Sequence, residues 1–408
     1  MSYAKDDSIP LTKVAKALAG LIGLNSSRTA EIANTDILGD VPNKDTVSSL
    51  YSMVQHADKA GNRSSPNTYI HATLNDPKKY PLTVKVNSLV TKVLFSNGTV
   101  PAATGVEVMQ GKSIYKADPR FVAGTKGPLV EYAAKREVIV SGGAFNSPQI
   151  LKLSGVGPAA ELKKFNIPVV KDLPGVGERL ADNYEGSLLA LGKSPIGGSL
   201  LTAIFRTKSA PTSKRNIFTW CGAFSFEGFW PGFPDDYGPN EMECAMVHLG
   251  PKSQAGYVHL TSADPQDVPD INLRFFEKDG EQDLQEIVDG ANLLREAWQA
   301  AGASVLPFDE KHPCPGTGNG NCTDAAQREV VKLQAYSHHA SSTCAIGSDA
   351  DPLAVLDGQF RVRGVKNLRV VDASSFPRVP GAFPVLPTML LSAKAADVII
   401  ADAKAKTV

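Results

Sequence analysis

"REVIVSGGAFNSPQILKLSG", Arg136 to Gly155, decides the fold class. Its apolar run closes on Gly142 and Gly143, which predicts a strand buried on both faces, as strands of parallel sheets are. The residues that follow have helical spacing, with Ser147 as N-cap and Pro148 at the first helical position. Strand, glycine turn and helix start follow one another without a linker, so the stretch reads as one step of an α/β sheet. A turn of this kind gathers backbone N–H groups at a helix N-terminus, where a phosphate or another anion can sit. A tight connection alone accounts for the glycines as well, and both readings stay open at Gly143.

On the N-terminal side, "PLTVKVNSLVTKVLFSNGTVPAATG" from Pro81 to Gly105 alternates β-branched and polar residues and carries Asn97-Gly98. It predicts a β-meander with a tight turn. On the other side, from Tyr184 to Tyr336, a long strand "GYVHLTS" and an acidic helix "EQDLQEIVDGANLLREAWQAAG" stand among Pro- and Gly-rich loops, as in a lobe of antiparallel sheet and helices. The chain then returns to its first character. "NLRVVDASS" is a buried strand ending at Asp372, and "PTMLLSAKAADVIIADA" has apolar residues at three- and four-residue steps. The expected organisation is a first lobe split between residues 1–183 and 337–408, with a second lobe, 184–336, inserted.

A chain of 408 residues exceeds the size at which one core stops growing. Hydrophobic residues make up 42% and charged residues 21%, the balance of a folded globular protein. Lys plus Arg and Asp plus Glu are 42 each, leaving no basic field for a phosphate backbone. No nucleic-acid partner is expected. Neither is a membrane partner, because no run approaches the ~20 apolar residues of a spanning helix. The N-terminal "MSYAKDDSIPLTKVAKALAGLIGL" places Asp6 and Asp7 ahead of its apolar patch and is not read as a secretory signal. The five cysteines include no CxxC pair, which argues against zinc. Cys314 and Cys322 bracket "PGTGNGN" and are open to two readings, a small disulfide or two free thiols. The aromatic residues Phe224, Phe226, Phe229 and Trp230 are likewise open, as core or as the lining of a site.

Two of the seven histidines stand side by side in "AYSHHASSTCAIG", Ala335 to Gly347. An imidazole titrates near neutrality and can move a proton, although many histidines are ordinary hydrogen-bonding residues.

Several blocks, taken in order, resemble the glucose-methanol-choline (GMC) flavin oxidoreductases. They are "RSSPNTYI" and "PLTVKVNSLVTKVLF" near the front, "GAFNSPQILKLSGVGP" from Gly143 to Pro158, "DLPGVGERLADN" from Asp172 to Asn183, "GVKNLRVVDASSFPRVPG" from Gly364 to Gly381 and "PTMLLSAKAADVI" from Pro387 to Ile399. The resemblance implies an α/β fold with a doubly wound FAD-binding lobe, an inserted antiparallel-sheet substrate lobe, and a small-molecule alcohol oxidised at its CH–OH group. It implies that Val90 contacts the adenine through its backbone. Asp372 with Ala373 would sit at the ribityl and pyrophosphate region and Thr388 and Met389 near the isoalloxazine ring, with Gly143 and Pro384 also among the cofactor-binding residues. On its residues alone, Asp372 is a cap at a strand end. The family's catalytic histidine falls on His339, which would accept the hydroxyl proton while hydride leaves the same carbon for the flavin. His338 is then either structural or a substrate hydrogen bond.

The chain departs from the family in two places. A second His or Asn usually precedes the last helix, and Val385 occupies that position without hydrogen-bonding capacity. The opening G-x-G-x-x-G turn that holds the pyrophosphate is missing, since "GTGNGN" at Gly316 to Asn321 follows no strand and opens no apolar helix. The expectation is the back portion of a GMC enzyme, its flavin lobe incomplete. Three functions are open to such a chain: FAD-dependent alcohol oxidation, a non-redox cyclisation or dehydration on the same scaffold, or an inactive truncated fragment. Neither the substrate nor the electron acceptor is legible.

Overall fold

Residues 6–226, 228, 236–318 and 320–405 are described by the structure, a computed structural model. The opening stretch forms strand β5 (Val138–Val140) and, directly after it, helix α4 (Gly143–Leu153). β5 pairs in parallel with β16 (Leu368–Val370), Val138 opposite Leu368. Only Val138 and Val140 are buried, while Ile139 is 44% exposed, so the strand alternates where burial on both faces was expected. Its sheet has two strands among the described residues, and β16 is buried along its whole length, with Arg369 opposite Ile139 only 2% exposed.

α4 also starts earlier than expected, leaving Ser147 and Pro148 inside it. Gly142, not Ser147, is the N-cap, and Ser147 Oγ accepts the Gly142 N–H at 2.8 Å from within the helix. Pro148 has no N–H to give the Ala144 carbonyl one turn back. The hydroxyl of Thr343, remote in sequence, donates to that carbonyl at 2.6 Å and makes an internal proline tolerable.

β2 (Ser88–Phe95), β3 (Ala103–Gln110) and β4 (Leu129–Ala133) form the expected antiparallel meander. Asn97-Gly98 is not its two-residue turn. The connection runs from Ser96 to Ala102, closed by the Ser96 N–H on the Ala102 carbonyl, and Pro101 within it cannot donate to a ladder. α3 (Pro66–Leu74) precedes the meander, and β6 (Val156–Gly157), α5 (Ala159–Lys164) and β7 (Lys171–Asp172) follow α4. "GYVHLTS" yields only the four-residue β13 (Gly256–His259). It lies between β8 (Glu178–Leu180) and β14 (Asp270–Asn272) in a small separate sheet. Val258 packs there with Ala144 and Leu180, so this piece of 184–336 sits beside α4 and not in the large sheet.

The large sheet is antiparallel throughout, in the order β1 (Ser49–Tyr51), β10 (Leu201–Phe205), β11 (Ile217–Gly222), β12 (Glu241–His248), β9 (Tyr184–Leu191), β15 (Asp309–His312). Leu201, Ala203, Phe205, Ile217, Cys244 and Leu188 point to one face. Helix α1 (Pro10–Leu21) and the acidic helix α6 (Gly280–Ala300) cover that face, with Leu11, Val14, Leu18, Leu284 and Trp298 fully buried. The apolar N-terminal patch is therefore a core helix. The boundary at 183 needs correcting on this account. α1 packs on α6, β1 pairs with β10, and the short α2 (Thr29–Ile32) joins them, so residues before 183 help to build the sheet lobe.

Cys221 and Cys244, opposite one another on β11 and β12, form a disulfide, as do Cys314 and Cys322 beside α7 (Asp324–Gln334); Cys344 is a buried free thiol. The last helix, α8 (Val385–Lys404), starts three residues before Thr388 and buries only Ala395. Among the described residues, no helix is long and apolar enough to cross a membrane.

Candidate active site

Side chains alternate across a strand, so the face of the large sheet turned away from α1 and α6 carries every second residue. Register lines up one row on that face, Ile204, Phe218, Val247 and Glu185 on β10, β11, β12 and β9. Three members are apolar and the fourth is a carboxylate that is only 2% exposed. The strap from Ser337 to Thr343 crosses over this end of β9, bridged to it at Tyr336 and to Ala181 at Ser341.

This crossing brings the two histidines onto Glu185. His339 is 3% exposed and holds its Nδ1 2.9 Å from Glu185 Oε1; His338 reaches the same oxygen with its own Nδ1 at 3.2 Å and remains half exposed. Ser337 Oγ lies 3.2 Å from Glu185 Oε1 as well, sharing its single proton between that oxygen and the nearer Asp182 Oδ1. Asp182 Oδ1 accepts the backbone N–H of His339 at 2.8 Å and the hydroxyl of Ser337. A carboxylate on Nδ1 fixes the tautomer that keeps its proton there and leaves Nε2 as the basic nitrogen. No partner for Nε2 is present among the described residues, so the ring can exchange a proton with a ligand.

Burial shapes the charges around the pair. It pushes the Asp182 carboxyl up to about 6. It draws His338 below the ordinary imidazole value, with Glu185 opposing and His339 reinforcing the shift. It raises the Tyr336 phenol, helped by the carboxylates of Glu185 and Glu243.

Asn183 closes the site from the side. Its Nδ2 donates to the carbonyls of Gly381 and Ala382 at 2.9 and 2.8 Å, which sets Phe383 edge-on to His339 with ring centroids 5.3 Å apart. Phe383 in turn lines a cavity of about 520 Å³ between the sheet face and residues 380–387. Val385, where the family has a His or Asn, is a wall of this cavity and half exposed. Of the aromatic candidates, Phe226 meets Tyr336 edge to face, while Phe229 and Trp230 lie outside the described residues.

The other predicted residues fall into two groups. Asp372 is saturated: its Oδ1 accepts the N–H and hydroxyl of Ser374, and its Oδ2 the Gly143 N–H at 2.9 Å and the Ser147 hydroxyl at 2.6 Å. The strand-end cap read from its residues is what it does, and it also locks β16 to α4. Gly142 and Gly143 thus spend their N–H groups inside the protein, on Ser147 and Asp372. Val90, Ala373, Pro384, Thr388 and Met389 all keep part of their surface open. Glu185, Asp182 and Asn183 were not singled out from sequence, although "LADNYE" contains all three.

Family models for GMC oxidoreductases match residues 27–185 and 251–392. Human mitochondrial choline dehydrogenase is 35% identical over 367 residues, 82% of this chain and 56% of the relative. The oxygen-dependent choline dehydrogenase of Photobacterium profundum is 32% identical over 368 residues, 85% of this chain and 60% of its own length. The chain thus spans less than two thirds of these curated relatives. Among solved structures, Aspergillus oryzae formate oxidase superposes with a TM-score of 0.77 at 20% identity, over 98% of this chain and 72% of that one. Pyridoxine 4-oxidase from Mesorbium loti gives 0.71 at 19% identity, over 94% and 69%. These likenesses carry the mixed α/β fold with open sheets. Fold, ordered sequence blocks and the matches at both ends agree, and the chain belongs to the GMC oxidoreductases, a family of FAD-binding enzymes.

Proposed function

We propose that this chain carries the alcohol-oxidising site of an FAD-dependent enzyme, with His339 as the base, His338 as an auxiliary hydrogen-bonding group and a small-molecule alcohol as substrate. The observation that supports it most directly is the Glu185 carboxylate on His339 Nδ1, since it orients a neutral imidazole for proton acceptance at Nε2. Asp182, through the His339 N–H, holds the backbone under the ring, and Asn183 holds the Gly381–Ala382 backbone that carries Phe383. His338 shares the Glu185 oxygen and is exposed enough to reach a ligand, which is the compensation that Val385 requires.

The residues fit the ring end of FAD better than its phosphate end. Thr388 and Met389 leave surface for a flavin ring and Ala373 for its ribityl side, whereas Gly142 and Gly143 give their N–H groups to Ser147 and Asp372. FAD, when bound, supplies the acceptor for the hydride. The chain's own work is to position the alcohol, exclude water with apolar walls, and take the hydroxyl proton onto His339.

The test is rapid-mixing measurement of flavin reduction by an alcohol, using the full chain supplied with FAD. His339→Ala should slow the reduction by roughly 10²–10⁴-fold, the range of a lost general base, and His338→Ala by about tenfold or less. The reverse ranking would refute the assignment of the pair. Flavin that binds and is reduced by no alcohol would favour the non-redox acid–base reading instead.

A further inference from the structure

The cavity beside Phe383 has a chemical selectivity of its own, and the inference from it rests on the reading of His339 above. Its volume of about 520 Å³ suits a small organic ligand. Ile204, Phe218 and Leu249 form the sheet wall, and Phe383, Val385 and Leu386 the opposite one. No aspartate, glutamate, lysine or arginine is among the described residues that line it. Of its few polar members, Ser52 gives its hydroxyl to the Ala33 carbonyl at 2.8 Å, His56 lies exposed, and Thr202 keeps a buried hydroxyl that is uncharged and has no partner among the described residues. Glu185, the carboxylate of the site, does not reach the lining and is held by both histidines and Ser337.

A cation entering this cavity would lose its water and meet no counter-charge. Aromatic faces can substitute for a carboxylate. Phe218 and Phe383 meet edge to face at 5.1 Å and 87°, which takes up one face of one ring, and neither ring brings a formal counter-charge. A hydrocarbon group loses nothing on entry and gains the apolar contact. The geometry points to an uncharged alcohol with a compact hydrocarbon body, alicyclic or aromatic, as the substrate class. The quaternary ammonium alcohol named for the curated relatives does not suit these walls.

Calorimetric titration of the full chain with benzyl alcohol, cyclohexylmethanol and choline tests this directly. Both neutral alcohols should bind at least tenfold more tightly than choline. Val54→Glu places a carboxylate on the rim at a half-exposed position that the core does not use, and it should shrink that ratio at least tenfold. Choline binding as tightly as benzyl alcohol, or a ratio unmoved by Val54→Glu, overturns the inference. Binding is read here without turnover, so the two readings fail separately. Neutral alcohols that bind but reduce no flavin remove the redox reading and leave the cavity assignment standing. Flavin reduction by choline, with no binding of the neutral alcohols, does the opposite.

Discussion

A hydrogen bond to Nδ1 decides which nitrogen of an imidazole is basic, and in this site one carboxylate oxygen makes that decision for His339. Glu185→Gln keeps the shape and removes the charge, so the ring loses both its orientation and the partner that stabilises the imidazolium. Flavin reduction should fall by roughly 10²-fold, in the range of general-base effects, while alcohol binding stays close to wild type. Nitrogen NMR of the His339 ring separates this role from a structural one. The wild type should show the Nδ1-protonated tautomer and the variant a mixture; an unchanged tautomer would remove Glu185 from the mechanism. His339 could be proposed from the sequence because its neighbours form a local pattern. Glu185 could not, because it reaches the ring only through strand alternation and the β9 to β12 register, which no short stretch of sequence displays.

At the scale of elements, the proline inside α4 shows how a distant side chain can move a helix boundary. Pro148 reads as the first helical residue, yet the helix starts five residues earlier, at Gly143, because Thr343 provides the donor that proline lacks. Thr343 is fully buried, and Thr343→Val leaves the Ala144 carbonyl without a donor. The loss should be about 1–3 kcal/mol, the usual penalty for an orphaned buried polar group, measured by urea denaturation. Pro148→Ala restores an N–H within the helix, so the same Thr343→Val change should cost less in that background. A double-mutant cycle reads the difference, and strictly additive values would show that the two residues are uncoupled. The strand, the helix and the meander were thus readable as elements. Their ends were not, since a tertiary donor set one and Pro101 set another.

Over the whole molecule, the change of character at Tyr184 coincides with the start of β9 in the large sheet, while the allegiance of α1 and β1 to that sheet was not legible. An amphipathic helix declares that one face is buried, never against what. The chain crosses from one lobe into the other through Ala181 to Asn183, where Asp182 ties the strap of histidines to the start of β9. The stability of this junction should depend on pH with a definite sign. Burial lifts the Asp182 carboxyl from 3.8 to about 6, so between about pH 4 and pH 6 the folded protein keeps a proton that the unfolded chain releases. The stabilisation from that proton is present below pH 4 and is lost as pH rises through 6. Asp182→Asn carries no such proton but retains an oxygen for the His339 N–H. The variant should therefore gain on the wild type as pH rises from 4 to 7, by up to ~3 kcal/mol at 1.36 kcal/mol per pKa unit. Paired urea denaturation curves at half-unit pH steps give the gap directly, and taking a difference cancels the titrations that both proteins share. A gap that stays flat from pH 4 to 7 would mean that Asp182 titrates as an ordinary carboxyl and that the junction is already charged at the pH where the site must work.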